Sequence, residues 1–150
     1  DQSQQHVPKR MTDIDDLVLQ EVARQRAATA VVINAAAVAP VQALANESQI
    51  TRLVRNLVSN AVRHARSVVT VELAVINDGI ALAVSDDGPG VPENMRPSIF
   101  ERFTRSDEAR DRDSGGSGLG LAISMSIAKA HGGTIELEPP SRFVVRLPMP

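Results

Sequence analysis

The sequence contains no cysteine, tryptophan or tyrosine. Without cysteine there are no disulfides, thiolate metal ligands or thiol nucleophiles, and an unstapled chain of 150 residues suits a reducing compartment. Aromatic residues make up 2% of the chain, so Phe100, Phe103 and Phe143 are its only aromatic anchors and the core must be built from Val, Leu, Ile and Ala. A basic excess is also missing. Lys and Arg number 16 against 18 Asp and Glu, a net charge of −2, which argues against a nucleic-acid partner because such surfaces carry clustered positive charge. Long apolar runs are absent too: residues 27–45 are interrupted by Asn34, Pro40 and Gln42 and make a poor membrane span. The polar opening Asp1-Gln2-Ser3-Gln4-Gln5 is no secretory signal. The expectation is a soluble chain with no membrane contact of its own.

What is present fits one domain around one core. Residues 1–10 lack apolar periodicity, so the expected division is a linker or tail over 1–12 and a single domain over 13–150. Ile14, Leu17, Val18, Val22 and Ala23 recur at helical spacing and predict a first helix near 13–27, capped by Thr12 or Asp13. Residues 30–33 and 41–44 predict two short strands. Asn46, with Gln49 three residues on, resembles a capping pair, and the stripe Ile50, Leu53, Val54, Leu57, Val58, Ala61 and Val62 predicts a second helix near 47–65. Residues 68–76 and 80–84 flank Asn77-Asp78-Gly79, a hairpin signal because Asn and Gly tolerate positive φ. Leu119, Ile123, Ile127 and Ala128 predict a third helix ending at His131-Gly132-Gly133. A last hairpin is expected from 134–137 and 142–147. Between Asp87 and Gly118 the chain turns polar and aperiodic for about thirty residues, a length that marks a functional lid or disorder in a compact domain.

Three elements carry chemistry. On the second helix Asn56 and Asn60 are four apart and share a face, with Arg63 and His64 a turn further on. Such amides can cap neighbouring loops, but beside Arg they also offer hard oxygen ligands next to a phosphate donor, as a Mg²⁺-nucleotide requires. Asp86-Asp87-Gly88-Pro89-Gly90 then follows a strand directly. It reads either as an ordinary Asp-Gly turn or as a carboxylate placed to accept from an exocyclic amine, which favours adenine over guanine. Third, Gly115-Gly116-Ser117-Gly118-Leu119-Gly120 opens a helix, whose free amides and positive dipole end suit an anion. No Lys-Ser or Lys-Thr follows, and the glycine spacing fails the dinucleotide fingerprint, so neither common phosphate loop applies.

In this order the boxes Asn56-Leu57-Val58-Ser59-Asn60-Ala61, Asp86-Asp87-Gly88-Pro89-Gly90-Val91-Pro92, Ile99-Phe100-Glu101-Arg102-Phe103 and Gly116-Ser117-Gly118-Leu119-Gly120-Leu121 resemble the ATP-binding catalytic domain of bacterial sensor histidine kinases, within the superfamily shared with gyrase, Hsp90 and MutL. The resemblance runs from Asp13 to Pro148. It implies an α/β two-layer sandwich: a mixed, mainly antiparallel sheet of about five strands on three helices, with a mobile ATP lid. It implies that Asn60, with Asn56, holds Mg²⁺, and that Arg63 and His64 lie against phosphates and sugar, His64 standing where the family commonly has Tyr. Asp86 would accept the adenine amine, with Gly88, Gly90, Val91 and Phe100 around the nucleotide. Gly116, Ser117, Gly118, Leu119 and Gly120 would face the phosphates, and Arg105 resembles the lid arginine that reaches the γ-phosphate.

The superfamily's hydrolases carry Glu one turn before the metal Asn, where this chain has Asn56; an amide is a poor general base, so transfer is expected over hydrolysis. None of His6, His64 and His131 has the following acid and downstream Pro of a family acceptor histidine. The implied activity is therefore that of a protein histidine kinase catalytic fragment, with ATP and Mg²⁺ as cofactors. Its implied partners are a dimerisation domain of the same parent, which bears the acceptor, and a response regulator. The fragment is expected as a monomer, the parent as a homodimer anchored in the cell membrane with this domain in the cytoplasm. Two other readings share the pattern: an anti-sigma-type Ser/Thr protein kinase, and a nucleotide-sensing module without transfer activity.

Overall fold

A computed structural model describes residues 7–101 and 120–149. The chain opens with strand β1 (Arg10–Asp13) and helix α1 (Ile14–Arg26), followed by β2 (Val32–Val38), β3 (Gln42–Ala45) and the long helix α2 (Glu47–His64). The hairpin β4 (Val68–Ile76) and β5 (Gly79–Asp86) comes next, then a 3₁₀ turn (Glu93–Ser98), helix α3 (Gly120–Ala130) and the hairpin β6 (Thr134–Glu138) and β7 (Arg142–Pro148). The main sheet has the order β2-β4-β5-β7-β6, parallel only between β2 and β4, while β1 and β3 form a separate antiparallel pair.

The helices cover one face of this sheet, and the strands alternate accordingly. In β4, Val69, Val71 and Leu73 are fully buried, whereas Thr70, Glu72 and Ala74 between them face the less covered side. The other half of the core comes from α1 (Val18, Val22) and α2 (Leu53, Val54, Leu57, Val58). Phe143 is the one fully buried aromatic among the described residues. On the far face Arg142 bridges Glu72 and Glu138, and Arg146 pairs with Glu136 and Glu138. These half-exposed pairs add little to stability but shield β5, whose outward residues Ala81, Ala83 and Ser85 are small.

Several local expectations are corrected. Residues 10–12, expected in the tail, belong to β1, and neither Thr12 nor Asp13 caps α1. The pairing with β3 takes both side chains: Thr12 Oγ1 donates to the carbonyls of Arg10 (2.8 Å) and Ala45 (3.3 Å), and Asp13 Oδ1 accepts from Gln42 Nε2 (2.7 Å). The start of α1 is instead held by Asp15, which accepts the Val41 N–H at 3.0 Å. Strand β2 begins later than expected and runs on to Val38, through a register shift between Asn34 and Ala37 that the sequence Asn34-Ala35-Ala36-Ala37 does not advertise. At the β4–β5 turn the positive φ values fall on Asn77 (52°) and Asp78 (64°), with Gly79 already in the strand.

At the start of α2, Asn46 Oδ1 accepts the Gln49 N–H (3.0 Å), as the capping pair predicts. The reciprocal bond does not form. The Asn46 N–H goes instead to His131 Nε2 at 3.0 Å, and Gln49 Oε1 is buried with no partner.

Candidate functional site

Helix α2 is strongly amphipathic, and its boundary flank, between the buried stripe and solvent, carries the candidate residues. Asn56, Asn60 and Arg63 are half-buried there and His64 is exposed. Asn56 Nδ2 points across to the first residue of α3 and donates to the Gly120 carbonyl at 3.4 Å, an oxygen that Ser124 Oγ also reaches at 2.8 Å. One turn on, Asn60 Oδ1 accepts from Arg63 Nη2 at 3.3 Å. Arg63 and a cation at Asn60 would thus compete for the same oxygen.

The C-terminal end of α2 meets the turn after β5. Asp86, the last residue of that strand, folds its carboxylate back so that Oδ1 accepts the Gly88 N–H at 2.7 Å. Gly88 lies against the helix end so closely that a Cβ would stand 1.9 Å from the His64 carbonyl oxygen. Gly90 adopts φ +87°, and a Cβ there would meet Pro140 at 2.6 Å. Both glycines are therefore required by contacts with the chain's own backbone, which fix the turn whatever ligand it faces. The β6–β7 turn completes the mount: the Pro140 carbonyl accepts the Val91 N–H (2.8 Å) and Ser141 Oγ donates to the Asp86 carbonyl (3.0 Å).

Asp86 and its neighbour Asp87 face opposite ways, as successive residues at a strand end must. Asp87 accepts the backbone N–H groups of Arg66, Ser67 and Val68 and the Ser67 hydroxyl, all within 3.2 Å. These bonds, led by the one from the Ser67 N–H, hold its carboxyl far below the usual carboxylate range. Asp87 thus clamps the α2–β4 connection, while the Asp86 carboxylate turns toward Gly88 on the side of the candidate site. The sequence shows two adjacent acids and gives no sign of this division.

Phe100 packs edge-to-face on Phe143, ring centroids 5.9 Å apart, which pins the polar segment to the core part-way along its length. Phe103, Arg105, Gly116, Ser117, Gly118 and Leu119 lie outside the described residues. His131, read from the sequence only as a helix end, proves to be a buried link between α3 and α2. Its Nδ1 donates to the Ile127 carbonyl (2.9 Å) while Nε2 accepts from Asn46, and burial pushes its pKa down.

Of the candidates, Asn56, Asn60, Arg63 and His64 thus line one flank of α2, Gly120 sits at its Asn56 level, and Asp86 and Gly88 close its far end. No cluster of three or more His, Cys, Asp or Glu that could hold a metal occurs among the described residues. Two neighbouring amide oxygens suit Mg²⁺ only when phosphate oxygens complete its shell, so the donor set fits a metal that arrives with a nucleotide. No described helix is long and apolar enough to cross a membrane.

Residues 45–150 match the family model of the histidine kinase-, DNA gyrase B- and HSP90-like ATPases. The sensor histidine kinase CpxA of Escherichia coli is 41% identical over 108 residues, which are 69% of this chain and 24% of CpxA. Among solved structures, the mycobacterial sensor histidine kinase MprB superposes with a TM-score of 0.82 at 30% identity, covering 93% of this chain and 97% of that one. The ATP-binding domain of PrrB from Mycobacterium tuberculosis gives 0.75 at 28% identity, covering 95% and 98%. The chain thus spans about a quarter of the curated relative's length and nearly all of the two solved chains.

Proposed function

The chain belongs to the histidine kinase-, DNA gyrase B- and HSP90-like ATPase family, and from that premise we propose that it binds Mg²⁺-ATP and donates the γ-phosphoryl group to a histidine on a separate dimerisation domain of a two-component sensor kinase. The observation that carries this reading is that one helix bears the Asn motif and touches both the Asp86 turn and the start of α3. Asn56 bonds the start of α3 at Gly120, and eight residues further on His64 packs against the Asp86–Gly88 turn. Eight residues of helix span about 12 Å, so an extended nucleotide can lie along this flank with adenine at Asp86 and phosphates toward Asn56.

In this arrangement the free oxygen of the Asp86 carboxylate accepts the adenine amine, because Oδ1 is already engaged by Gly88. Arg63 leaves Asn60 Oδ1 for the phosphates, which frees that oxygen, with Asn56 beside it, for Mg²⁺. Bound there, Mg²⁺ supplies charge neutralisation for the phosphate oxygens. His64 lies against the sugar, Gly116–Gly120 give amides to the phosphates, and Arg105 reaches the γ-phosphate. Val91 and Phe100 border the pocket.

In the transfer itself the acceptor imidazole nitrogen attacks the γ-phosphorus and the bond to the β–γ bridging oxygen breaks. ADP leaves with the electron pair, and the imidazole proton passes to the acidic neighbour of the acceptor. His131 is excluded as that acceptor, because it is buried with both ring nitrogens engaged. The phosphoryl then passes to a response regulator, and the parent is a membrane-anchored homodimer with this domain in the cytoplasm.

Incubated alone with Mg²⁺-ATP radiolabelled at the γ-phosphate, the chain is expected to bind nucleotide and take up no label. Stoichiometric labelling of the isolated chain would overturn the reading of a separate acceptor.

A further inference from the structure

Outside the nucleotide flank, the N-terminal half of α2 borders an open cleft of about 690 Å³ whose wall includes Arg10, Glu47, Arg52, Arg55 and Asn56. Its charge is unbalanced. Arg10 Nη2 pairs with Glu47 Oε1 at 3.3 Å, and Arg55 Nε pairs at 3.3 Å with Glu21, which is 2% exposed and lies behind the cleft on α1. Arg52 is exposed and has no partner among the described residues. Two of the three arginines on the cleft wall are thus paired and Arg52 is left as its excess positive charge, on a chain whose net charge is −2. Asn56 belongs to both places, since it lines the cleft and also bonds Gly120. The cleft begins where the phosphate end of the nucleotide flank stops.

We propose that this cleft is the docking surface for an acidic segment of the domain that carries the phosphoacceptor histidine. The inference rests on the transfer reading above and adds where, and by what chemistry, the acceptor arrives. An acceptor must reach the γ-phosphate without displacing adenine, so it approaches from the Asn56 end of α2, and on that side the protein presents positive charge. Carboxylates on the incoming surface complement Arg52 and the exposed part of Arg55, whose side chain is 42% accessible even while paired. Arg52 is the residue to alter. Loss of Arg55 would strand the buried Glu21 carboxylate, whereas Arg52 can be reversed in charge without unfolding α2.

The test is a titration of a fluorescently labelled acceptor domain with wild type, Arg52→Glu and Arg52→Lys, in Mg²⁺-ADP so that no transfer occurs. Charge reversal is expected to weaken binding about tenfold, and lysine to retain it within about twofold. Added salt should weaken the wild type more than Arg52→Glu. ATP affinity and melting temperature should be the same in all three proteins. Equal binding by wild type and Arg52→Glu, or no binding by the wild type, overturns the docking surface. Arg52-dependent binding without label transfer in ATP leaves the docking surface standing and overturns the transfer reading; transfer with an unchanged KM for the acceptor in Arg52→Glu does the reverse.

Discussion

His131 Nε2 accepts the backbone N–H of Asn46 at 3.0 Å, so the end of α3 holds the N-cap of the helix that carries Asn56 and Asn60. With Nδ1 donating to Ile127, the ring is fixed as the neutral Nδ1–H tautomer, and a second proton would set N–H against N–H. Burial, and to a lesser extent the Lys9 charge, lowers its pKa from the ordinary 6.5 in the folded state.

The sign of the pH dependence follows. The unfolded chain takes up a proton near 6.5 and the folded chain resists until lower pH, so stability is full above 6.5 and falls as pH drops through that window. Urea unfolding at pH 8 and at about pH 5.5 should show this loss. His131→Leu should be less stable at pH 8 by about 1–3 kcal/mol, through the orphaned Asn46 N–H, and should lose much of the difference between the two conditions.

Asp86 and Asp87 should separate cleanly on substitution. Asp86→Asn is expected to weaken ATP binding and leave the melting temperature nearly unchanged, because the amide oxygen can still accept the Gly88 N–H. Asp87→Ala should lower the melting temperature, since four donors on Arg66, Ser67 and Val68 lose their acceptor. The folded-state pKa of Asp87 is depressed, so its contribution is present above the unfolded value of 3.8 and is lost as pH falls below it. Calorimetric titration paired with thermal melts distinguishes the two roles.

The Arg63–Asn60 contact predicts a metal effect. Asn60→Ala should abolish most of the gain in ATP affinity that Mg²⁺ gives the wild type, measured as the ratio of Kd values in EDTA and in Mg²⁺. Arg63→Met frees the Asn60 oxygen but removes a phosphate donor, so it should weaken ATP binding both with and without Mg²⁺.

Asn56 makes a further prediction. Placing a carboxylate at this position supplies a base where the amide supplies none, so Asn56→Glu should raise steady-state ATP hydrolysis by about a hundredfold, the lower end of general-base effects. Unchanged hydrolysis with intact ATP binding would remove position 56 from the transfer site.

Periodicity made most of this fold legible. The stripe from Ile50 to Val62 locates α2 to within a residue, and Asn77-Asp78-Gly79 locates the β4–β5 hairpin. Errors arose where tertiary pairing overrode local signals. Thr12 and Asp13 look like caps but are spent on β3, and the alanine run of β2 has no alternation to read. The candidate site is legible as Asn56, Asn60 and Asp86 because polar groups interrupt apolar elements. Asp87 and His131 are not, because each acts through backbone groups far away in sequence.

The most direct measurement mixes the chain with a dimerisation domain and Mg²⁺-ATP radiolabelled at the γ-phosphate, then examines which protein carries the label and whether it survives acid. Acid-labile label on a histidine of the dimerisation domain is the predicted result. No label at any Mg²⁺ concentration, or acid-stable label on serine or threonine, would contradict the account.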